Sequence, residues 1–143
     1  MIILDANLLL YAVNKDAPQH KKALRWLESI LEGTEDVGFP WNVILAVLRL
    51  STRAGVFPRP LPVKRAFELV ADWLDQPVAR VVHPGPRHLS ILRNLLLPIG
   101  TGGNLTSDAH LAALAIEQDA LLCSCDADFA RFAGLHWRNP IQP

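Results

Sequence analysis

Three aspartates stand where an apolar segment gives way to something else. Asp5 closes the run Ile2–Leu4, Asp108 lies in the first turn of an Ala- and Leu-rich segment opening at Thr106 or Ser107, and Asp126 follows an apolar run in the stretch SCDADF. Asp128 stands two residues further on. Taken singly, each has an ordinary explanation as a strand terminus, a helix-dipole partner or a turn residue. Taken together they pose an electrostatic problem, because carboxylates gathered without a cation repel one another and raise each other's pKa. A hard divalent ion removes it, and carboxylate oxygens as the donor set favour Mg²⁺ or Mn²⁺ over zinc. Such an ion keeps waters that act as nucleophile or position one, so phosphodiester hydrolysis is the chemistry that fits. Asn7, Thr106 and Ser124 lie beside the acids and carry groups able to hydrogen-bond metal waters or phosphate oxygens, although as caps and turn residues they need no such role.

For these acids to meet, separate elements must end at one rim. Ile2–Leu4 is too short for a helix and reads as a strand buried on both faces. Residues 8–13 continue as a short helix, which Asn7 is expected to cap, and residues 17–32 form a longer one with Ala23, Leu24, Trp26, Leu27, Ile30 and Leu31 on one face. A strand is expected at 36–39, then a helix over 41–54 burying Val43, Ile44, Val47, Leu48 and Leu50. The three prolines of 57–62 make a stiff connection to a helix at Val63–Leu74, with Phe67, Val70, Ala71 and Leu74 inward. Ala79–Val82 reads as a strand, 86–97 and 106–118 as helices, 120–124 as a buried strand, 126–132 as a tight turn with a helical start, and 136–137 as an edge strand. This alternation predicts an α/β fold in three layers, a central parallel sheet flanked by helices on both faces with right-handed crossovers. In such sheets ligands sit beyond the carboxyl ends of the strands, where Asp5 and Asp126 fall.

A chain of 143 residues, half of them hydrophobic, is read as a single domain over 1–143. No run approaches the roughly 20 apolar residues of a membrane span, and Met1 leads straight into a strand, so a cytoplasmic protein with no membrane partner is expected. Fourteen basic residues balance fourteen acidic ones, so nucleic-acid binding must come from a local patch. Arg53, Arg59, Lys64 and Arg65, around the proline-rich connection, are the candidates. Cys123 and Cys125 are too few for a zinc cage and read as buried free thiols. The loop GTGGN at 100–104 lacks the Lys-Ser/Thr of a P-loop and reads as a flap; Trp26, Trp41 and Trp73 read as core or subunit contacts.

From LDANLLLYA through FPWNVILAVLRLST to TSDAHLAALAIEQDALLCSCDADFARFAGLHW, the chain resembles the PIN domain, and within it the VapC-like toxins of bacterial toxin–antitoxin pairs. The resemblance implies a metal-dependent endoribonuclease, usually a homodimer, held inactive by a VapB-like antitoxin. By position it makes Asp5, Asp108 and Asp126 the catalytic carboxylates that hold Mg²⁺ or Mn²⁺, with Asp128 as a helper. One departure stands out: the glutamate that the family carries three residues before the arginine of the third helix is Ala46, counting back from Arg49. Arg49 is a candidate contact for RNA or for a rim carboxylate, with snorkelling from the helix as the plain alternative. Loss of that glutamate keeps a second class in view, a PIN-like module that binds RNA or protein without catalysis. A phosphatase or receiver-type phosphotransferase also places an Asp after strand one. Against it, Asn7 stands where a phosphatase needs a second Asp, and no lysine lies at a late strand end.

Overall fold

The computed structural model describes residues 1–142. The run IIL is apolar throughout and pairs on both sides: β1, Ile2–Leu4, takes β2, Val37–Pro40, on one flank and β4, Leu121–Cys123, on the other, with Ile3 opposite both Gly38 and Leu122. β3, Ala79–Val82, lies outside β2, and β5, Trp137–Arg138, outside β4; every pairing is parallel, in the order β3-β2-β1-β4-β5. The central strands are shielded on both faces, and Ile3, Leu4, Val37, Phe39 and Leu122 are fully buried. β2 sits especially close to its neighbours. A Cβ on Gly38 would stand 2.6 Å from Val82 Cγ2 and 3.0 Å from Ile3 Cγ1, so only glycine fits there without displacement.

Right-handed crossovers dictate where the helices go. From β1 through β2 to β3 the chain steps outward in one direction, which puts α1 (Ala6–Val13), α2 (His20–Leu31), α3 (Trp41–Ser51) and α4 (Val63–Leu74) on one face. The return to β4 places α5 (His88–Leu96) and α6 (Leu105–Glu117) on the other. α1 packs on α2 and α3, α3 on α4, and α5 on α6. The winding reverses between β1 and β4, the switch point at which open α/β sheets hold ligands.

α6 is buried nearly all round, and its alanines at 109, 112, 113 and 115 let it lie close between the sheet and α5. His88 Nε2 and His110 Nδ1 meet at 2.9 Å across the α5–α6 contact, and Glu117 accepts the backbone amides of Gly85 at 2.7 Å and Arg87 at 2.9 Å. Burial, with the charge of His88 beside it, holds His110 below the usual histidine range.

The expected fold is present, with corrections in detail. Asp5, not Asn7, caps α1: its Oδ1 accepts the Ala6 amide at 2.7 Å, and Asn7 lies inside the helix. α4 is rotated from its expected phase. Ala66 and Val70 are buried, whereas Phe67 is 56% exposed and Ala71 is also exposed, because the small Ala66 lies under the helix where it packs on the rest of its layer. Trp73 stacks on Phe39 with ring centroids 6.4 Å apart, and Trp26 packs against the core, but Trp41 is half exposed. Cys123 is buried and Cys125 only partly so; burial pushes their thiols up to about 12 and about 11. β5 falls one residue later than expected, at Trp137–Arg138, where Trp137 Nε1 donates to the Ser124 carbonyl at 3.1 Å.

Candidate active site

Asp5 is held at the switch point by three bonds with different origins. Its backbone N–H continues the β1–β4 ladder to the Cys123 carbonyl at 3.0 Å, its Oδ1 caps α1, and its Oδ2 accepts the Ser124 hydroxyl at 2.6 Å. Asn7 bridges the same gap, donating to Asp5 Oδ2 at 3.3 Å and to Ser124 Oγ at 3.1 Å while its Oδ1 accepts the Cys125 amide at 3.2 Å. These bonds clamp the end of β1 to the end of β4. Burial raises the Asp5 carboxyl above its ordinary value; the Ser124 and Ala6 bonds pull it down in part, and the charge of Asp126 pushes it up further.

Asp126 follows β4. Its amide donates to Ser124 Oγ at 3.0 Å, and its Oδ1 accepts the Asp128 amide at 2.9 Å, capping a 3₁₀ turn over Ala127–Arg131. Asp128 is exposed and turned toward Arg131, 3.2 Å away. Asp108, in the first turn of α6, is half-buried and also raised, by desolvation first and then by the charges of Asp126, Asp5 and Asp128, with Arg131 opposing. The carboxylates are therefore close enough to sense one another. Asp5 and Asp108 face a common cleft of about 370 Å³ lined also by Asn42, Leu45, Ala46, Arg49 and Ser107.

That lining sorts the expected residues. Asp5, Asp108 and Arg49 open on the cleft, as does Ala46, so residue 46 does face the acids. Ser124 is 0% exposed and occupied by Asp5, Asn7 and the Asp126 amide, so it positions carboxylates and is not open to a phosphate. Asn7 is likewise a tie between strands. Thr106 does not line the cleft; its neighbour Ser107 does. Sequence reasoning missed Asn42 and Ser107. The signal for Asn42 was available, since 42, 45, 46 and 49 share one helical face, so a helix that turns Ala46 and Arg49 to the acids must turn Asn42 there too.

Among the described residues no group of three or more His, Cys, Asp or Glu side chains is drawn together closely enough to hold a metal ion unaided. The donors suit a hard cation that retains waters: Asp5 and Asp108 open on the same cleft and carry oxygen-donor carboxyls destabilised by burial and mutual charge.

The sequence profile described as PIN domain matches residues 2–135. Ribonuclease VapC37 of Mycobacterium tuberculosis is 53% identical over 140 residues, covering 98% of this chain and 97% of that protein. Ribonuclease VapC33 of the same species is 44% identical over 142 residues, 99% of each. Among solved structures, VapBC-1 from nontypeable Haemophilus influenzae superposes with a TM-score of 0.71 at 16% identity, over 99% of this chain and 100% of that one. VapBC2 from Rickettsia felis, bound to a DNA fragment from its promoter, gives 0.69 at 17% identity over 97% and 98%. The superpositions establish the fold and the full-length match establishes kinship: the chain belongs to the PIN-domain family.

Proposed function

We propose that this protein is an endoribonuclease toxin of the VapC type, hydrolysing RNA phosphodiester bonds with Mg²⁺ or Mn²⁺ at the rim of Asp5, Asp108 and Asp126, and restrained by a VapB-like antitoxin. Full-length relatives named ribonucleases and structural neighbours that are VapBC complexes support the reading. The observation that carries it is that Asp5 and Asp108 open on one cleft at the switch point, each raised in part by the charge of Asp126.

Asp5, Asp108 and Asp126 are the residues that would hold the ion, with Asp128 further out on Arg131. When bound, a divalent ion supplies a water of lowered pKa and stabilises charge on the phosphate and the leaving 3′ oxygen. The chain's own contribution is positional. Ser124 and Asn7 fix the Asp5 carboxylate, and the Asp126 amide on Ser124 Oγ ties the second acid to the first. Arg49, which pairs with no carboxylate among the described residues, offers a guanidinium to a phosphate oxygen at the cleft. Exposed apolar side chains on α3 and α4 support a homodimer.

Incubating the purified protein with total RNA and Mn²⁺, then mapping the ends, tests the reading. Discrete cleavage sites are expected for the wild type, lost in Asp126→Asn and in chelator. Cleavage that is unchanged in Asp126→Asn would overturn it. The lack of any carboxylate on α3 favours a second reading, an RNA-binding module without catalysis; RNA retained on the wild type with no new ends would establish that instead.

A further inference from the structure

We propose that the trough between α2 and the segment 139–142 is a track for single-stranded RNA, in which Lys22 and Arg25 hold backbone phosphates while Trp26 and Tyr11 take the bases. The inference rests on the reading of the acidic rim as a ribonuclease site and names where the substrate strand lies beside it. Two cavities, of about 410 and about 440 Å³, share Lys22, Ile141 and Gln142 and so form one continuous trough. Each falls in the range of roughly 300–1,000 Å³ that suits small organic groups. Cys125 lines one end, and it is the residue between Ser124, which holds Asp5, and Asp126. Its amide donates to Asn7 Oδ1 at 3.2 Å, and the same asparagine donates to Asp5 Oδ2 at 3.3 Å, so the trough begins at the rim of acids.

Lys22, Arg25 and Trp26 stand at spacings of three and four residues, so one stripe of α2 carries two cations and an aromatic ring to the trough. Both cations are exposed and form no ion pair among the described residues, whereas Arg59 and Arg65 are each engaged by an acid. No described carboxylate side chain lines either cavity. Unpaired cations beside a groove attract an anionic strand, and in a chain of zero net charge that attraction is local. Trp26 packs against the core with part of its ring and lines the trough with the rest, and Tyr11 enters from α1, half-buried. The walls are held in register: His20 Nδ1 donates to the Tyr11 carbonyl at 3.0 Å, and Asn139 Oδ1 accepts the Ile141 amide while its Nδ2 donates to Gln142 Oε1, both at 3.2 Å. An acidic peptide would satisfy the cations alone. An unpaired nucleic-acid strand uses cations and rings together, because each of its bases has a face free to stack.

Fluorescence anisotropy tests this with a labelled mixed-sequence single-stranded RNA and the full chain in chelator, where the strand stays intact, over a series of salt concentrations. The variants are Lys22→Gln combined with Arg25→Gln, and Trp26→Leu, with folding checked by circular dichroism. The double variant is expected to weaken binding at least about tenfold and to flatten the dependence of log K on log salt by about 0.7 for each cation removed. Trp26→Leu is expected to weaken binding about fivefold with the salt slope unchanged, since a ring contributes stacking and not charge. Wild-type affinity and salt slope in the folded double variant overturn the track and leave the cations to a protein partner. An equal loss measured with duplex RNA of the same sequence overturns it too, because paired bases cannot stack on the rings. Should the leucine variant fail to fold, the double variant decides alone. The cleavage assay separates the two readings: wild-type cleavage beside unchanged binding by the double variant strikes the track only, and no cleavage beside weakened binding strikes the nuclease and keeps the trough as an RNA site.

Discussion

Asp5 does two jobs, and substitution separates them. As the cap of α1 and the acceptor of Ser124 and Asn7 it joins the ends of β1 and β4; as a buried anion it is a liability without a cation. Asparagine keeps the helix cap but puts Nδ2 where Oδ2 accepts Ser124 and Asn7, so Asp5→Asn should cost about 1–2 kcal/mol of folding stability. It should reduce RNA cleavage by at least about a hundredfold through loss of a negative ligand. Asp5→Ala should in addition cost about 2–3 kcal/mol, because the cap goes and the Ser124 and Asn7 donors lose a partner. Wild-type melting temperatures in both variants would show that Asp5 has no structural part. The raised carboxyls also set a pH dependence. Folded Asp5 and Asp108 hold protons at pH values where the unfolded chain, with aspartates near about 3.9, has released them. Between that value and the raised ones, stability in chelator must therefore fall as pH rises. Mn²⁺ acts in the opposite sense because it binds only the ionised forms, so its increment to the melting temperature should grow as the pH rises through the raised carboxyl values. An increment independent of pH would place the ion elsewhere.

α3 brings no acid to the cleft, yet its geometry is that of a helix able to do so. Ala46 stands one turn beyond Asn42 on the stripe that faces Asp5 and Asp108. A glutamate at 46 reaches further than asparagine at 42, so Ala46→Glu should tighten Mn²⁺ binding by about 1–3 kcal/mol and permit cleavage at lower Mg²⁺. Titration with Mn²⁺ checks this: unchanged affinity in a folded variant would mean that the new carboxylate turns to Arg49 and away from the ion.

Over the whole molecule, zero net charge leaves RNA binding to local features, and the structure redraws which these are. Arg59 is engaged by Asp16 through two hydrogen bonds, at 2.7 and 3.2 Å, and Arg65 leans on Glu68, so half of the basic group around the proline-rich connection is already partnered. No helix is long and apolar enough to cross a membrane among the described residues. Large apolar side chains stand exposed at several places, Leu89 on α5 and Leu97 just after it among them, and four lie on two helices that pack together: Trp41 and Leu45 on α3, Val63 and Phe67 on α4, the last three each more than half exposed. Apolar surface of this kind marks an interface, and the one we expect is between two copies of the chain. Val63→Glu combined with Phe67→Glu should convert a dimer into a monomer by light scattering at micromolar concentration, with the circular dichroism unchanged. A wild type already monomeric under those conditions would exclude the dimer.

The sequence by itself determined the order of strands and helices, the parallel sheet and the places of the acids, because each rests on local information. Hydrophobic period separates strand from helix, and a carboxylate directly after an apolar run marks the end of an element. The resemblance added the family, which the matched profile and relatives then established. Tertiary structure alone decided which of two adjacent stripes a helix buries, so that Phe67 faces outward although its own helix offers it as core. It also decided that Ser124 is sealed under Asp5, that Asp5 and not Asn7 caps α1, and that Asn42 joins Ala46 and Arg49 in lining the cleft. The physical reason is common to all of these. Burial and hydrogen-bond satisfaction are properties of a residue together with partners far off in the chain, as Asn7 and Ser124 are at a separation of 117 positions, and no local pattern encodes whether that partner arrives.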